Sequence, residues 1–308
     1  MRKMCLETVF ELAKKNNKIV FIGSDLGPGV LDNFKKKYPN RFLMEGVAEQ
    51  AIIGMAAGLA MQKFRPYVNT IATFITRRAF EQVVIDLCLH NLPVTLIGNG
   101  GGMVYAPLGP THQAIEDISI MRTLPNLTIL APCDSNDMKN LVLQTTKIKG
   151  PIYIRIARGG EKIITNGKKS KIGKGLVLKS QTKFNFLTTG ITAQIALDAA
   201  KKIKKKYNMD VGVIHFSTVK PLDKKLLKKI IINSKKIITI EENVVEGGFG
   251  SSILEFSSNL KKSKNNIYLV GLKNEFSKKY GTQQEILEFN NLKDEYLCKK
   301  MYNFIIND

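Results

Sequence analysis

The sequence has few cysteines and no long apolar stretch. No apolar run reaches the roughly eighteen residues that a membrane-spanning helix needs, so we expect no membrane span. Residues 1–7 lead into an amphipathic pattern rather than an uninterrupted apolar segment, which predicts no signal peptide. The wide spacing of the cysteines argues against a zinc site or a disulfide framework and favours reduced, cytoplasmic thiols. The four are Cys5, Cys88, Cys133 and Cys298.

Arginine is scarce, although the chain is strongly basic. The net charge is +21, from 47 Lys and Arg against 26 Asp and Glu, yet only eight of the 47 are arginines. Clustered cations favour nucleic acid because they release phosphate counterions, but the planar fork of Arg suits bases and phosphates better than Lys does. Lysine clusters such as 35–37 and 204–206 fall at predicted helix ends or polar faces. We therefore interpret the charge as solvated surface and expect no nucleic-acid partner.

The length of 308 residues suits two domains, and the first half shows a regular rhythm. Short apolar runs alternate with segments of helical period, which is typical of a parallel sheet covered on both faces by helices. The predicted strands are 18–23, 41–45, 67–72, 93–98, 127–131 and 151–156. The predicted helices are 48–63, 78–90, 113–123 and 135–147. Residues 1–160 are therefore predicted to form one α/β domain.

A second alternating series follows an irregular segment rich in Gly, Lys, Ser and Asn. We assign residues 161–183 to a linker and residues 184–308 to a second, smaller α/β domain with a mainly parallel sheet flanked by helices. The predicted strands of this domain are 184–189, 211–216, 236–241 and 266–271. Its predicted helices are 192–206, 222–233 and 250–260, with two further helical segments at the end.

Six short segments carry the residue types from which sites are built. They are 45–50 (EGVAEQ), 70–83 (TIATFITRRAFEQV), 109–117 (GPTHQAIED), 154–159 (IRIARG), 219–223 (VKPLD) and 241–251 (EENVVEGGFGS). In this order and at these spacings they resemble the thiamine-diphosphate enzymes of the transketolase and 1-deoxy-D-xylulose-5-phosphate synthase group. The resemblance covers nearly the whole chain. It implies a pyrimidine-binding domain followed by the C-terminal domain of a transketolase-like enzyme, which transfers two-carbon units.

One part of the resembling enzymes has no counterpart in this sequence. Their diphosphate-binding domain carries a Gly-Asp-Gly motif that holds Mg²⁺ and the cofactor's diphosphate, and no Gly-Asp-Gly occurs here. The resemblance therefore implies the C-terminal subunit of a split enzyme, with the magnesium ligands on a separate N-terminal subunit. The family pattern further implies homodimerisation within an α2β2 assembly.

The resemblance assigns four residues to the cofactor. Glu49 corresponds to the glutamate that hydrogen-bonds the aminopyrimidine ring, although an acidic residue at a helix start is also favourable without a catalytic role. Phe74 corresponds to the aromatic residue that stacks on this ring, and Ile71 stands where relatives have a second aromatic. Asp25 matches an acidic residue near the thiazolium ring, with a simple turn residue as the alternative.

Three further residues are assigned to the substrate. His112 corresponds to the active-site histidine that hydrogen-bonds substrate hydroxyls or moves a proton. Arg77 matches an arginine of the synthase, and Arg158 matches a phosphate-binding arginine. The neighbouring Arg78 is interpreted as a surface or interface cation, and His90 and His215 as structural residues.

Two departures from the family pattern concern the acceptor side. Leu108 replaces an Asp that reads sugar hydroxyls, and residues 98–102 (GNGGG) replace a segment with a phosphate-binding His or Arg. Glycines in this loop would either cradle an anion with backbone N–H groups or simply make the loop flexible. We therefore hypothesise a sugar or sugar-phosphate substrate with an unusual acceptor. The alternatives are a subunit of a deoxyxylulose-phosphate synthase-like or 2-oxo acid dehydrogenase-like enzyme, and a non-catalytic regulatory homologue.

Overall fold

The computed structural model describes residues 1–23, 29, 31–260 and 266–307 of the chain. In this part, two sheets are built from twelve strands. They are β1 (Ile19–Gly23), β2 (Phe42–Met44), β3 (Arg65–Ile71), β4 (Thr95–Asn99), β5 (Thr128–Leu130), β6 (Ile152–Ile156), β7 (Leu176–Lys179), β8 (Phe184–Thr188), β9 (Gly212–His215), β10 (Thr218–Lys220), β11 (Lys236–Val244) and β12 (Ile267–Leu272).

Helices connect these strands and cover both sheets. They are α1 (Arg2–Lys15), α2 (Asp32–Lys37), α3 (Glu49–Met61), α4 (Phe80–Gln82), α5 (Asp117–Arg122), α6 (Ser135–Val142), α7 (Thr192–Tyr207), α8 (Lys224–Asn233), α9 (Phe249–Ser258), α10 (Gln283–Phe289) and α11 (Asp294–Ile306). Several begin at side-chain caps that satisfy free N–H groups of the first turn. Asp134 caps α6, Asp223 caps α8, and Thr282 with Glu285 forms a capping box at α10.

The first sheet has seven strands in the order β10-β5-β6-β4-β3-β1-β2. Strands β1 to β6 are parallel to their neighbours, whereas β10 joins the edge in antiparallel orientation. Parallel pairing brings the carboxyl ends of β1, β3, β4 and β6 to one edge, which is where open α/β sheets bind ligands. The prediction of a mainly parallel, helix-flanked sheet is confirmed.

The second sheet has five strands in the order β12-β11-β8-β9-β7, and only β7 is antiparallel to its neighbour. This again confirms the predicted α/β class. The sequence-based linker of 161–183 needs a correction, because residues 176–179 within it form β7 and pair with β9. The alternating pattern gave no indication of β10, which follows β9 in the chain but pairs with β5 of the first sheet. The domain boundaries themselves stay a prediction.

The two sheets share apolar packing. One buried cluster includes Tyr153 and Ile129 from the first sheet together with Phe216 and Phe249 from the second half of the chain. Such continuous close-packed contacts fix the relative position of neighbouring elements. In the described ranges, no helix is both long enough and apolar enough to cross a membrane.

The region after β3 differs from the predicted single helix over 78–90. It consists of π-helical turns at Phe74–Arg78 and Val83–Leu89, separated by the short α4. Single π-turns inside helices are rare and occur frequently at functional sites. The predicted helix over 113–123 is also shorter, since α5 begins only at Asp117 and Ala114 pairs with Gly101 and Gly102.

Candidate functional site

Glu49 is a buried carboxylate at the first position of α3. Its side chain is only 1% exposed. Oε1 accepts a hydrogen bond from the Thr70 hydroxyl at 3.3 Å, and Oε2 accepts one from Arg78 Nη1 at 2.7 Å. A buried charge needs such a paired partner, because desolvation without one is costly. The Arg78 side chain is 45% exposed, so the Glu49 carboxylate is linked to solvent through its cation.

Phe74 lies beside this ion pair, at the start of the first π-turn. The Arg78 guanidinium carbon lies 4.2 Å from the centroid of the Phe74 ring, a cation–π arrangement. Phe74 is half-buried, so part of its ring faces outward. Arg78 was expected to be a surface or interface cation; the structure shows it bonded to Glu49 and stacked on Phe74.

His112 completes the group from the loop that precedes α5. Its ring centroid lies 5.2 Å from that of Phe74 and 6.4 Å from that of Tyr105, in edge-to-face arrangements. Nδ1 lies 2.8 Å from the Thr111 hydroxyl, so Nε2 is the ring nitrogen available to a group from outside the chain. The imidazole is half-buried. Glu49, Phe74 and His112 are therefore brought together, as the sequence suggested.

Arg77 holds the loop that carries His112. Its guanidinium makes a bidentate contact with the Glu116 carboxylate, in which Nη2 donates to Oε2 at 2.8 Å and Nε donates to Oε1. It also donates to the carbonyl oxygens of Pro110 at 3.2 Å and Gln113 at 2.8 Å, on either side of His112. The predicted contact of Arg77 with substrate stays a prediction. The contacts observed position the histidine loop instead.

The glycine-rich loop after β4 is held in place by hydrogen bonds within the protein. The N–H groups of Gly100 and Gly101 both donate to Ile156 O at 3.0 Å, and that of Gly102 donates to Ala114 O at 2.9 Å. The next N–H, of Met103, donates to Glu242 Oε1 at 2.9 Å. Because these four donors are used within the protein, the loop offers no backbone cradle for an anion of the kind that the sequence left open.

The remaining predicted site residues are placed as follows. Ile71 is the half-buried last residue of β3, three positions before Phe74. Arg158 is exposed just beyond β6 and lines a cavity of about 410 Å³ whose wall does not include Glu49, Phe74 or His112. Asp25 lies outside the described residues, so its predicted role stays a prediction.

The glutamates of the C-terminal motif, Glu241 and Glu242, connect elements of the fold and do not line an open site. Glu241 is completely buried and accepts hydrogen bonds from the N–H groups of Phe249 and Gly250, both at 2.7 Å, at the start of α9. Burial raises the pKa of Glu241 to about 8. Its neighbour Glu242 bonds to Met103 N–H and to Gln283 Nε2, which ties the second sheet to the loop after β4.

One cluster in the described part of the chain has the composition of a metal site, namely Cys133, Asp137 and His215. All three side chains are buried, and their ligand atoms lie close together. His215 Nε2 lies 3.3 Å from Asp137 Oδ2, which also accepts from the Cys133 N–H at 3.0 Å and the Ser217 hydroxyl at 2.9 Å. Burial raises the pKa of the Cys133 thiol far above its ordinary value, which disfavours the thiolate that a metal requires. These contacts agree with the structural role expected for His215.

Two residues of the site were missed by the sequence interpretation. Arg78 was expected to be a surface or interface cation because the family resemblance was carried by its neighbour Arg77. The π-turn also shifts the face on which each side chain lies. Tyr105 has no motif around it; its role follows from its place between Gly100 and His112 in three dimensions.

Comparisons with known proteins place both domains of the chain in one family. The chain matches the family models "Transketolase, pyrimidine binding domain" over residues 1–160 and "Transketolase, C-terminal domain" over residues 173–292. It is 38% identical over 253 residues to 1-deoxy-D-xylulose-5-phosphate synthase of Clostridium perfringens strain SM101, covering 81% of this chain and 40% of the relative. The synthase of Geobacillus sp. is 36% identical over 304 residues, covering 97% and 48%. The chain thus spans less than half the length of these curated relatives.

A solved structure described as a split-gene transketolase, an inactive β4 tetramer, is similar over 99% of this chain and 98% of its own. The TM-score is 0.90 and the sequence identity 31%. Transketolase from Pichia stipitis in complex with sedoheptulose-7-phosphate has a TM-score of 0.81 at 20% identity, over 99% of this chain and 45% of that one. The second likeness shows a shared fold.

Proposed function

The chain belongs to the transketolase family, and we propose that it is the C-terminal subunit of a thiamine-diphosphate-dependent ketol transferase that moves a two-carbon unit. The observation that carries the proposal is the convergence of Glu49, Phe74 and His112 at the carboxyl edge of the first sheet. A buried carboxylate, a half-exposed aromatic ring and a half-exposed imidazole are three groups that this chemistry uses together.

The contacts of Arg78 indicate that the space between Glu49 and Phe74 suits the cofactor's aminopyrimidine ring. Its guanidinium is planar, carries N–H donors, and already stacks on Phe74 while donating to Glu49. The same two residues therefore accommodate a planar hydrogen-bonding group of this kind, which the aminopyrimidine also is. We infer that Arg78 gives way when the cofactor binds. We propose that a partner holds magnesium and the diphosphate. Among the described residues, the one cluster with the composition of a metal site, Cys133–Asp137–His215, does not suit the oxygen-ligated Mg²⁺.

The chain's residues divide the work as follows. When bound, thiamine diphosphate supplies the nucleophilic carbon that accepts the two-carbon unit. Glu49 would hold a proton shared with a ring nitrogen of the bound pyrimidine, and Phe74 would stack on that ring. His112 Nε2 donates to or accepts from substrate oxygens, and Arg77 keeps the histidine loop in place through Pro110 O and Gln113 O. Arg77 and Arg158 remain our candidates for substrate contacts, with Asp25 and Ile71 near the cofactor.

We further propose a separate N-terminal subunit with the diphosphate site, and homodimerisation within a cytoplasmic α2β2 assembly. The split-gene transketolase neighbour, described as a β4 tetramer, supports a chain of this kind that associates with copies of itself. The elements around Glu49 also expose large apolar side chains, as expected for an interface. These are Met44, Val47, Met55, Met61, Ile85 and Leu89.

The proposal is tested with the chain reconstituted with its N-terminal subunit. Transfer from hydroxypyruvate or xylulose 5-phosphate to an aldehyde, dependent on thiamine diphosphate, is the expected result. The exposed Leu108, 53% accessible where relatives read sugar hydroxyls, predicts weak activity with ribose 5-phosphate as acceptor. Full activity on this standard pair would contradict the altered acceptor while leaving ketol transfer intact.

A second candidate is a synthase-like reaction, favoured by the 36–38% identity to 1-deoxy-D-xylulose-5-phosphate synthases. Pyruvate consumption with release of carbon dioxide separates the two candidates, because ketol transfer from a sugar phosphate releases none. A 2-oxo acid dehydrogenase-like subunit would also consume pyruvate but would pass the product to an acyl carrier. Absence of all turnover in the reconstituted complex would favour a regulatory homologue.

A further inference from the structure

Tyr105 is a polar aromatic residue beside the site that the proposed chemistry does not use. It directly precedes the short 3₁₀ turn Ala106–Leu108 and is half-buried. Its ring meets the His112 ring edge to face, with centroids 6.4 Å apart and planes at 84°. Tyr105 is therefore in van der Waals reach of the imidazole whose Nε2 is available to substrate.

The absence of a side chain at Gly100 is what admits the Tyr105 ring. A Cβ placed on Gly100 would overlap the ring, and Gly100 has a φ of +79°, which side chains rarely adopt. The N–H of Gly100 is bonded to Ile156 O, so the loop cannot move away without losing that bond. The ring is thus seated directly over the carboxyl end of β4.

The Arg2 guanidinium is a partner of the Tyr105 hydroxyl. Burial raises the pKa of Tyr105, and the Arg2 guanidinium at the start of α1 interacts with the hydroxyl and opposes the shift. The backbone donors of the adjoining loop, from Gly100 to Met103, are all used within the protein. Tyr105 therefore contacts His112 through its ring and carries a hydroxyl beside Arg2, next to a loop whose own backbone donors are used.

We propose that Tyr105 is a specificity-determining residue for the acceptor aldehyde, with its hydroxyl hydrogen-bonding an acceptor oxygen and its ring covering the adjacent carbon chain. This inference rests on the proposed ketol transfer and adds to it the residue that selects the acceptor. Together with the exposed, apolar Leu108 three positions on, Tyr105 adds a hydroxyl and apolar surface near His112.

The test uses the complex of this chain with its N-terminal subunit and compares Tyr105→Phe with wild type. Hydroxypyruvate is the donor, and D-glyceraldehyde and D-glyceraldehyde 3-phosphate are the acceptor probes. Loss of one neutral hydrogen bond predicts a rise in acceptor KM of about tenfold. The donor KM and the rate at saturating acceptor should change less than twofold. Tyr268→Phe, far from the site in β12, is the matched control and should leave every constant unchanged.

An acceptor KM that stays within twofold of wild type for both probes would overturn the role of Tyr105, while activity of the wild type would leave ketol transfer standing. Tyr105→Ala, with its assembly checked by gel filtration, should raise the acceptor KM further because the ring is also lost. A calorimetric titration of the complex with each aldehyde gives a second readout without turnover, in which Tyr105→Phe should weaken binding by the same factor. A wild-type complex that neither turns over nor binds either aldehyde would overturn both proposals.

Discussion

Both sheets end in acidic and basic side chains, but the two sets are used in opposite ways. At the first sheet, Glu49 pairs with the half-exposed Arg78, which we propose moves aside when the cofactor binds. At the second sheet, Glu241 and Glu242 bond mainly to backbone N–H groups and are sealed by packing. The difference teaches that burial of a carboxylate does not by itself mark a site. A buried carboxylate paired with an exposed side chain is a candidate for binding a ligand, whereas one bonded to buried backbone N–H groups stabilises the fold.

Arg155 and Arg158 both lie near the end of β6, and they test the contrast between buried and exposed charged groups within one segment. Arg155 is buried and bonds to Asp117 Oδ2 at 2.9 Å, Ala114 O at 3.0 Å and Glu242 O at 2.7 Å, whereas Arg158 is exposed. Arg155→Met should lower the free energy of unfolding by about 3–5 kcal/mol, because it leaves the Asp117 carboxylate buried and unpaired. Urea unfolding of the purified chain measures this loss.

Arg158→Met serves as the matched control for stability. As an exposed substitution it should change the free energy of unfolding by no more than about 0.5 kcal/mol. Equal losses in the two variants would mean that the assembly role of Arg155 has been wrongly assigned.

Glu241 sharpens the comparison through its pH dependence. Because burial raises its pKa to about 8 in the folded chain from an ordinary 4.5, the folded state keeps a proton that the unfolded state loses. Between pH 4.5 and 8 this group should therefore lower stability as pH rises, by up to about 1.4 kcal/mol per pH unit. Urea unfolding at pH 5, 6.5 and 8 should show that the free energy of unfolding falls with rising pH. The Glu241→Gln variant should lack the part of this fall that comes from Glu241.

The exposed Glu7 of α1 provides the reference carboxylate for that experiment. Glu7→Gln should leave the pH dependence as in wild type. If Glu241→Gln and wild type lose stability with the same slope, the raised pKa of Glu241 is not expressed in folding.

The fold followed closely from the sequence where one rule dominated. Continuous apolar strands alternating with helices predicted both sheets and nearly all their strands. Strands β7 and β10 escaped because each is short and antiparallel and pairs away from its chain neighbours. Such pairing depends on which edge of the sheet is open in the folded protein. The local pattern of apolar and polar residues does not contain this information.

Candidate site residues could be found from the sequence where a motif contained them. Features that depend on tertiary packing could not be found in this way. Glu49, Phe74 and His112 lie together in the structure, and the roles that their motifs assigned stay predictions. The division of labour between Arg77 and Arg78 depends on a π-turn of five residues, which shifts both side chains relative to an α-helix. The glycines of residues 98–102 suggested flexibility or an anion cradle, yet the N–H groups of Gly100 to Gly102 donate to Ile156 O and Ala114 O. The side chains of Tyr105, Arg155 and Glu242 fill the space that a Cβ at Gly100, Gly101 or Gly102 would need. Except for Tyr105, these partners lie far away in sequence, so only the tertiary structure reveals them.

The central claim is that Glu49 and Phe74 bind the cofactor's pyrimidine at an interface with a second subunit. Calorimetric titration of thiamine diphosphate with Mg²⁺ tests it most directly, in the isolated chain and in its complex with the N-terminal subunit. We predict tight binding only in the complex, at least tenfold weaker binding for Glu49→Gln, and unchanged binding for the matched Glu7→Gln. Tight magnesium-dependent binding to the isolated chain, or equal affinity of the Glu49→Gln and wild-type complexes, would contradict the account.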